Sequence, residues 1–143
     1  MSKILIIDDD EQMCSMIKKW LENKTEHEVT FALGGKKGLA AVSKEKPDLI
    51  LLDLMMPDIS GVDVLKKLKK QRTTYRIPVI VLTGRSEQGI VDETMRDYAE
   101  AFITKPVGVQ ELVSRIERVL SWRNQLPELQ KKLRSATTEA ATE

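Results

Sequence analysis

Four short, largely apolar runs in this chain stop abruptly at polar residues. Ile4-Leu5-Ile6-Ile7 meets Asp8-Asp9-Asp10, and Leu49-Ile50-Leu51-Leu52 meets Asp53. Val79-Ile80-Val81-Leu82 meets Thr83-Gly84, and Ala101-Phe102-Ile103-Thr104 meets Lys105-Pro106. Runs this short, without polar alternation, read as strands buried on both faces of a parallel sheet. A carboxylate at the end of a buried strand is costly unless something compensates it. Laid side by side, these strand ends gather acids, one lysine and one hydroxyl in a single crevice. Open α/β sheets place their ligands at that end.

The segments between the runs change period. From Glu11 to Asn23, residues Met13, Met16, Ile17, Trp20 and Leu21 fall at helical spacing. Glu28–Ala32 reads as a further strand, and Gly35–Ser43 as a short helix after the Gly34-Gly35 break. Ser60-Gly61 opens a helix with Val62, Leu65 and Leu68 on one face, fading into the polar stretch Lys70–Tyr75. Ser86–Asp97 reads as helical although Gly89 weakens it, and Val109–Leu120 carries Leu112, Ile116, Val119 and Leu120 as a stripe. Five strands alternating with five helices predict a doubly wound five-stranded parallel sheet with helices on both faces. No internal repeat is evident.

Composition narrows the function classes. The 143 residues carry a net charge of +1, so no global basic field points to nucleic acid. The single cysteine, Cys14, allows no internal disulfide and fits a reducing compartment. Met1-Ser2-Lys3 passes straight into a strand, unlike a signal peptide. No apolar run approaches the roughly 20 residues of a membrane helix. The expected location is cytoplasmic. Residues 1–121 are expected to form one domain. Residues 122–143 read as a tail or linker, helical and then disordered, ending in Ala-Thr-Thr-Glu-Ala-Ala-Thr-Glu. Leu126, Leu129 and Leu133 sit at coiled-coil spacing, with Pro127 interrupting. A coiled-coil linker and a helical extension packed on the domain both fit.

Carboxylates crowded in one pocket raise one another's pKa unless a cation joins them. A hard divalent ion with oxygen ligands is the simplest remedy. Mg²⁺ suits a site with few carboxylates that also takes phosphate oxygens. Calcium-loop spacing is absent, and zinc would want more than Cys14 and His27. A carboxylate beside such an ion can act as a nucleophile toward phosphorus. Lys105 would supply an ammonium, and Thr83 a hydroxyl, to the phosphoryl oxygens.

At these residues the chain resembles the receiver domain of bacterial two-component response regulators. The matching pieces are Ile-Leu-Ile-Ile-Asp-Asp-Asp, Asp-Leu-Met-Met-Pro-Asp-Ile-Ser-Gly, Val-Leu-Thr-Gly and Phe-Ile-Thr-Lys-Pro, in family order and spacing from Lys3 to Leu120. The resemblance implies a flavodoxin-like sheet of order 2-1-3-4-5. It implies Asp53 as phosphoacceptor and Asp8 and Asp9 as the metal-binding acid pair, with Asp9 the more direct ligand. The Met55 backbone carbonyl would complete a Mg²⁺ site with Asp53. Thr83 and Lys105 correspond to the phosphoryl-sensing hydroxyl and amine, Phe102 to the switch aromatic, and Lys105-Pro106 to a cis peptide. The implied donor is the phosphohistidine of a histidine kinase or phosphotransfer protein. The implied output is a changed face on the fourth predicted helix, the fifth strand and the fifth predicted helix. That face would control an output domain or a downstream protein, with a homodimer as one possible form. The resemblance implies that Met55 and Arg85 occupy positions whose side chains influence phosphoryl lifetime in the family, and neither is a water-positioning acid or amide. Slow self-hydrolysis is expected.

Other residues have plainer readings. Asp10 reads as a helix cap, Asp58 as a loop residue near the acceptor, and Thr104 as a packing or outward-facing hydroxyl. His27 reads as a surface turn residue, Cys14 as an apolar filler, and Met13, Met16, Met55 and Met56 as packing. Lys66, Lys67, Lys69 and Lys70 read as a solvated face. Gly34-Gly35…Gly38 follows the second strand, so it is not a dinucleotide loop.

Two other functions compete. A metal-dependent phosphatase with an aspartyl nucleophile would share this chemistry, but such enzymes carry a second acid two residues on, where this chain has Met55. An interaction domain that no longer accepts phosphate would not need the complete acid, threonine and lysine set. No DNA-binding, cyclase or ATPase module is legible after Leu120. The chain therefore reads either as a stand-alone receiver or as the front part of a longer regulator.

Overall fold

The computed structural model describes residues 1–84 and 98–122. Strands β1 (Lys3–Asp8), β2 (Glu28–Leu33), β3 (Leu49–Asp53), β4 (Val79–Thr83) and β5 (Ala101–Thr104) form one sheet. Its order is β2-β1-β3-β4-β5, and every pairing is parallel. Helices α1 (Glu11–Lys24), α2 (Gly35–Glu45) and α3 (Gly61–Lys70) follow the first three strands. A C-terminal helix occupies 109–122. The expected helix over Ser86–Asp97, Arg85 and the Leu126–Leu133 spacing lie outside the described residues. Among the described residues no helix is long and apolar enough to cross a membrane.

Strand alternation sorts the core into two layers. Ile4, Ile6, Leu49, Leu51, Ile80, Leu82 and Ile103 face α1 and the C-terminal helix, where Ile17, Leu21, Leu112 and Ile116 meet them. Leu5, Ile7, Ile50, Leu52, Val79 and Val81 face α2 and α3, where Val42, Val64, Leu65 and Leu68 meet them. Both faces of the central strands are therefore apolar, which explains why the sequence runs do not alternate. Each fully buried aliphatic side chain contributes about 1.5–3 kcal/mol relative to exposure. These layers hold the strand ends in fixed relative positions.

Local signals set the helix boundaries. Asp10 caps α1, its carboxylate accepting from the Met13 amide at 3.2 Å, as the sequence predicts. Ser60 caps α3 by accepting from the Asp63 amide at 3.2 Å. At the end of α1, the Thr25 amide and hydroxyl both donate to the Leu21 carbonyl, at 2.9 and 2.6 Å.

Three plain readings need correction. His27 is not a free surface turn residue: Nδ1 accepts from the Ser2 amide at 3.0 Å, and Nε2 lies 2.7 Å from Glu117 Oε1 on the C-terminal helix. Lys69 is not part of a solvated face. Its ammonium turns inward to the carbonyls of Tyr75 and Ile77 at 3.2 and 3.0 Å and pairs with Glu100 at 3.6 Å, so it closes the loop into β4. Met16 and Met55 are exposed rather than packed, whereas Met56 is buried.

α2 lies against β1 so closely that only a glycine fits at the contact. A Cβ at Gly38 would sit 2.6 Å from Cγ2 of the fully buried Ile7. Gly38→Ala is expected to destabilise the protein by about 1–2 kcal/mol, because overpacking outweighs alanine's better helix propensity. Urea unfolding measures it, and an unchanged midpoint would contradict the tight contact.

Candidate functional site

Parallel pairing in register brings the polar strand ends together. Ile7 pairs with Leu52, Asp53 with Leu82, and Thr83 with Thr104. Asp8 and Asp53 are the last residues of β1 and β3, so each carboxylate starts from a rigid, buried backbone. Asp8 is 1% exposed and Asp53 4% exposed, values unusual for acids and therefore informative. Asp9, one residue on, is exposed.

Lys105 supplies the counter-charge. Its ammonium donates to Asp53 Oδ1 at 3.1 Å and lies 3.8 Å from Asp8 Oδ2. The Lys105 amide donates to the Thr83 carbonyl at 2.6 Å, which ties the lysine's backbone to the end of β4. The Lys105-Pro106 peptide is cis. Thr83 is buried. Phe102, in register with Val81, is partly buried on the α2 and α3 face of the sheet. Thr104 is exposed.

Oxygens of Asp8, Asp9 and Asp53 all lie within 4.8 Å of one another, so the three acids form a group that can hold a metal ion. Three carboxylates against the Lys105 ammonium leave a formal charge of −2. Asp8 Oδ1 accepts from the Asp10 amide at 3.0 Å, but the buried Asp8 Oδ2 has no hydrogen-bond partner among the described residues. An orphaned buried oxygen calls for an explanation such as an ion. Burial pushes the Asp8 carboxyl up to about 6; the Asp10 amide and Lys105 pull it down, and Asp53 and Asp9 push it further up. The site thus disfavours its own charge until a cation joins it. The same environment pushes the Cys14 thiol up to about 12, mainly through burial, so this thiol is inert filler as expected.

The loop after Asp53 is held just as tightly. The Gly61 amide donates to the Leu54 carbonyl at 2.7 Å. A Cβ at Gly61 would fall on the Asp53 carbonyl oxygen and within 2.6 Å of Leu54 Cα. Sequence reasoning read Gly61 only as a helix start. Its close approach to the Asp53 backbone belongs to the tertiary structure. The same holds for Asp58, whose carboxylate bonds the amides of Gly35 and Lys36 at 3.0 and 2.9 Å.

Comparison with known proteins agrees with this geometry. The profile of the response regulator receiver domain matches residues 4–117. The phosphate regulon transcriptional regulatory protein PhoB of Pseudomonas aeruginosa is 38% identical over 117 residues, covering 82% of this chain and 51% of that protein. Protein PilH of the same species is 35% identical over 121 residues, covering 85% of this chain and 99% of PilH. The DNA-binding dual master transcriptional regulator RpaA of Synechocystis is 34% identical over 92% of this chain and 54% of that protein. The chain thus spans about half the length of two of these relatives and nearly all of the third. A crystal structure of a response regulator receiver domain protein from Clostridium thermocellum superposes with a TM-score of 0.81 at 31% identity, covering 88% of this chain and 99% of that one. With the sheet order, the acid–lysine crevice and the profile match in agreement, this chain belongs to the family of response regulator receiver domains.

Proposed function

We propose that the chain is a phosphorylation-controlled switch of a two-component system, with Asp53 as phosphoacceptor. One observation carries this reading. The buried Asp53 carboxylate is paired with Lys105 at 3.1 Å and sits in an acid cluster whose Asp8 Oδ2 lacks a hydrogen bond among the described residues. The hard oxygen donors and the formal −2 charge suit Mg²⁺, held by Asp8, Asp9, Asp53 and the Met55 carbonyl. When bound, Mg²⁺ supplies charge neutralisation for the acids and for phosphoryl oxygens.

The chain's own residues would do the following. An Asp53 oxygen attacks phosphorus of a donor phosphohistidine on a histidine kinase or phosphotransfer protein. The new O–P bond forms as the donor's P–N bond breaks, and the imidazole leaves, taking up a proton to become neutral. Lys105 extends from its pairing with the Asp53 and Asp8 carboxylates to the phosphoryl group, and the Thr83 hydroxyl donates to a phosphoryl oxygen. The acyl phosphate adds about −1.5 to −2 charge. It shifts the balance between two states only through contacts that differ between them, here those of Thr83 and Lys105. Phe102 on the neighbouring strand reports the movement of Thr83 to the face that meets an output domain, a downstream protein or a second copy. Later hydrolysis resets the switch. Residues 1–121 constitute the switch and 122–143 its tail or linker.

Acetyl phosphate with Mg²⁺ is expected to add one phosphoryl group by intact mass, and Asp53→Asn to abolish it. A variant that still labels would move the acceptor elsewhere. Lys105→Ala is expected to keep the label but lose its conformational consequence, read as amide shifts on β5. Phosphate loss from the labelled protein is expected to be slow, because Met55 positions no water; a lifetime of seconds would contradict this.

Proton linkage gives a further test. The Asp8 carboxyl titrates higher in the folded metal-free protein, about 6, than in the unfolded chain, near 3.8. The folded state therefore binds more protons between these values, and stability falls as pH rises through that window. Asp8→Asn removes this cost, so with chelator at pH 8 it is expected to stabilise the protein by on the order of 1–3 kcal/mol. With Mg²⁺ present the order reverses, because the variant has lost a ligand. Thermal melts with chelator and with Mg²⁺ read both arms.

A further inference from the structure

Asp58 lies five residues beyond Asp53, in the loop between β3 and α3. Its carboxylate is not among the clustered oxygens of Asp8, Asp9 and Asp53. It reaches across to α2 instead, Oδ1 accepting from the Gly35 amide at 3.0 Å and Oδ2 from the Lys36 amide at 2.9 Å. The start of α2 needs this help, because its N-cap is Gly34, at φ 108°, with no side chain to offer. The first amides of a helix lack partners within the helix and carry the positive end of its dipole. A distant loop here supplies the anion that a local Ser, Asp or Asn supplies elsewhere.

The two glycines form the receptor for that loop. A Cβ at Gly34 would stand 3.2 Å from Asp58 Oδ2. A Cβ at Gly35 would stand 3.0 Å from Ile59 Cβ and 3.0 Å from Val64 Cγ2. The amides of Lys36 and Gly35 hold the Asp58 carboxyl down at about 2, so the cap is charged at every working pH. The loop from Leu54 to Ser60 therefore has two anchors. Gly61 ties its ends together through the Leu54 carbonyl, and Asp58 ties its middle to α2. Met55 lies between them.

We infer that Asp58 is a positioning residue for the acceptor loop, and that through the Gly34-Gly35 junction it couples occupancy of the acid crevice to the amino terminus of α2. The inference rests on the proposed reading of the acid crevice as a Mg²⁺ site with the Met55 carbonyl among its ligands. Coupling between two sites is reciprocal. A loop held by α2 binds Mg²⁺ more tightly, and Mg²⁺ in turn strengthens the cap.

A cap that served α2 alone would change melting temperature and nothing in the crevice. Mg²⁺ titration of the metal-free protein, followed by amide chemical shifts, separates the two. Asp58→Ala is expected to weaken Mg²⁺ binding by about tenfold, as loss of a partner that orients metal ligands does elsewhere. Asp58→Asn keeps one accepting oxygen and is expected to fall between. Gly35→Ala keeps the amide that bonds Asp58 but pushes on Ile59 and Val64, and is expected to weaken binding in the same direction. In the wild type, Mg²⁺ with beryllofluoride is expected to slow hydrogen exchange at the Gly35 and Lys36 amides. Wild-type Mg²⁺ affinity in folded Asp58→Ala overturns the proposal. If that variant unfolds, wild-type affinity in both Asp58→Asn and Gly35→Ala overturns it equally. Absence of acetyl phosphate labelling in the wild type, with Mg²⁺ affinity still lowered in the variants, would sink the acceptor reading and leave this coupling standing.

Discussion

The Lys105 ammonium, between the buried carboxylates of Asp53 and Asp8, is the interaction on which the site depends. Two acids at the ends of adjacent buried strands repel each other and have lost most of their water. The Lys105 ammonium between them relieves part of that cost and leaves the rest in place. Asp8 shows the remainder, with one oxygen lacking a hydrogen bond among the described residues and a carboxyl pushed up to about 6. The crevice is held short of neutrality by a rigid frame, and this makes it responsive to a divalent ion and to a phosphoryl group.

The frame is what keeps those charges from drifting apart. Central strands apolar on both faces lock β1 and β3 between two layers of helices, so their last residues cannot swing away. Glycines then bring backbone close where side chains would obstruct. Gly38 brings α2 against Ile7, next to Asp8, and Gly61 brings the start of α3 against the Asp53 carbonyl. Packing and electrostatics meet next to the acid on β1 and at the acid's own backbone on β3. A volume change in the core on β1 or β3 is therefore felt directly by a charged group.

Much of this was legible beforehand because the relevant signals are local. Apolar runs without alternation marked β1, β3, β4 and β5, and period 3.6 marked α1 and the C-terminal helix. Asp10 as a cap followed from its place before the helix. His27, Lys69 and Asp58 were misread or under-read for a shared reason. Each has a partner distant in sequence: Glu117 for His27, Glu100 for Lys69, and the α2 amides for Asp58. Met16 and Met55 were read as packing because methionine is apolar, whereas exposure depends on which part of a helix or loop the fold leaves uncovered.

The amino-acid sequence by itself determined the elements, the parallel sheet and the set of polar residues at its carboxyl end, because strand length, period and chain order are written into neighbouring residues. Only the tertiary structure decided which of those polar groups are buried and which cation pairs with which acid. It also decided that a loop aspartate, rather than a local residue, caps α2. Those outcomes depend on distances across the sheet and on exclusion of water, and neither exists until the layers have closed.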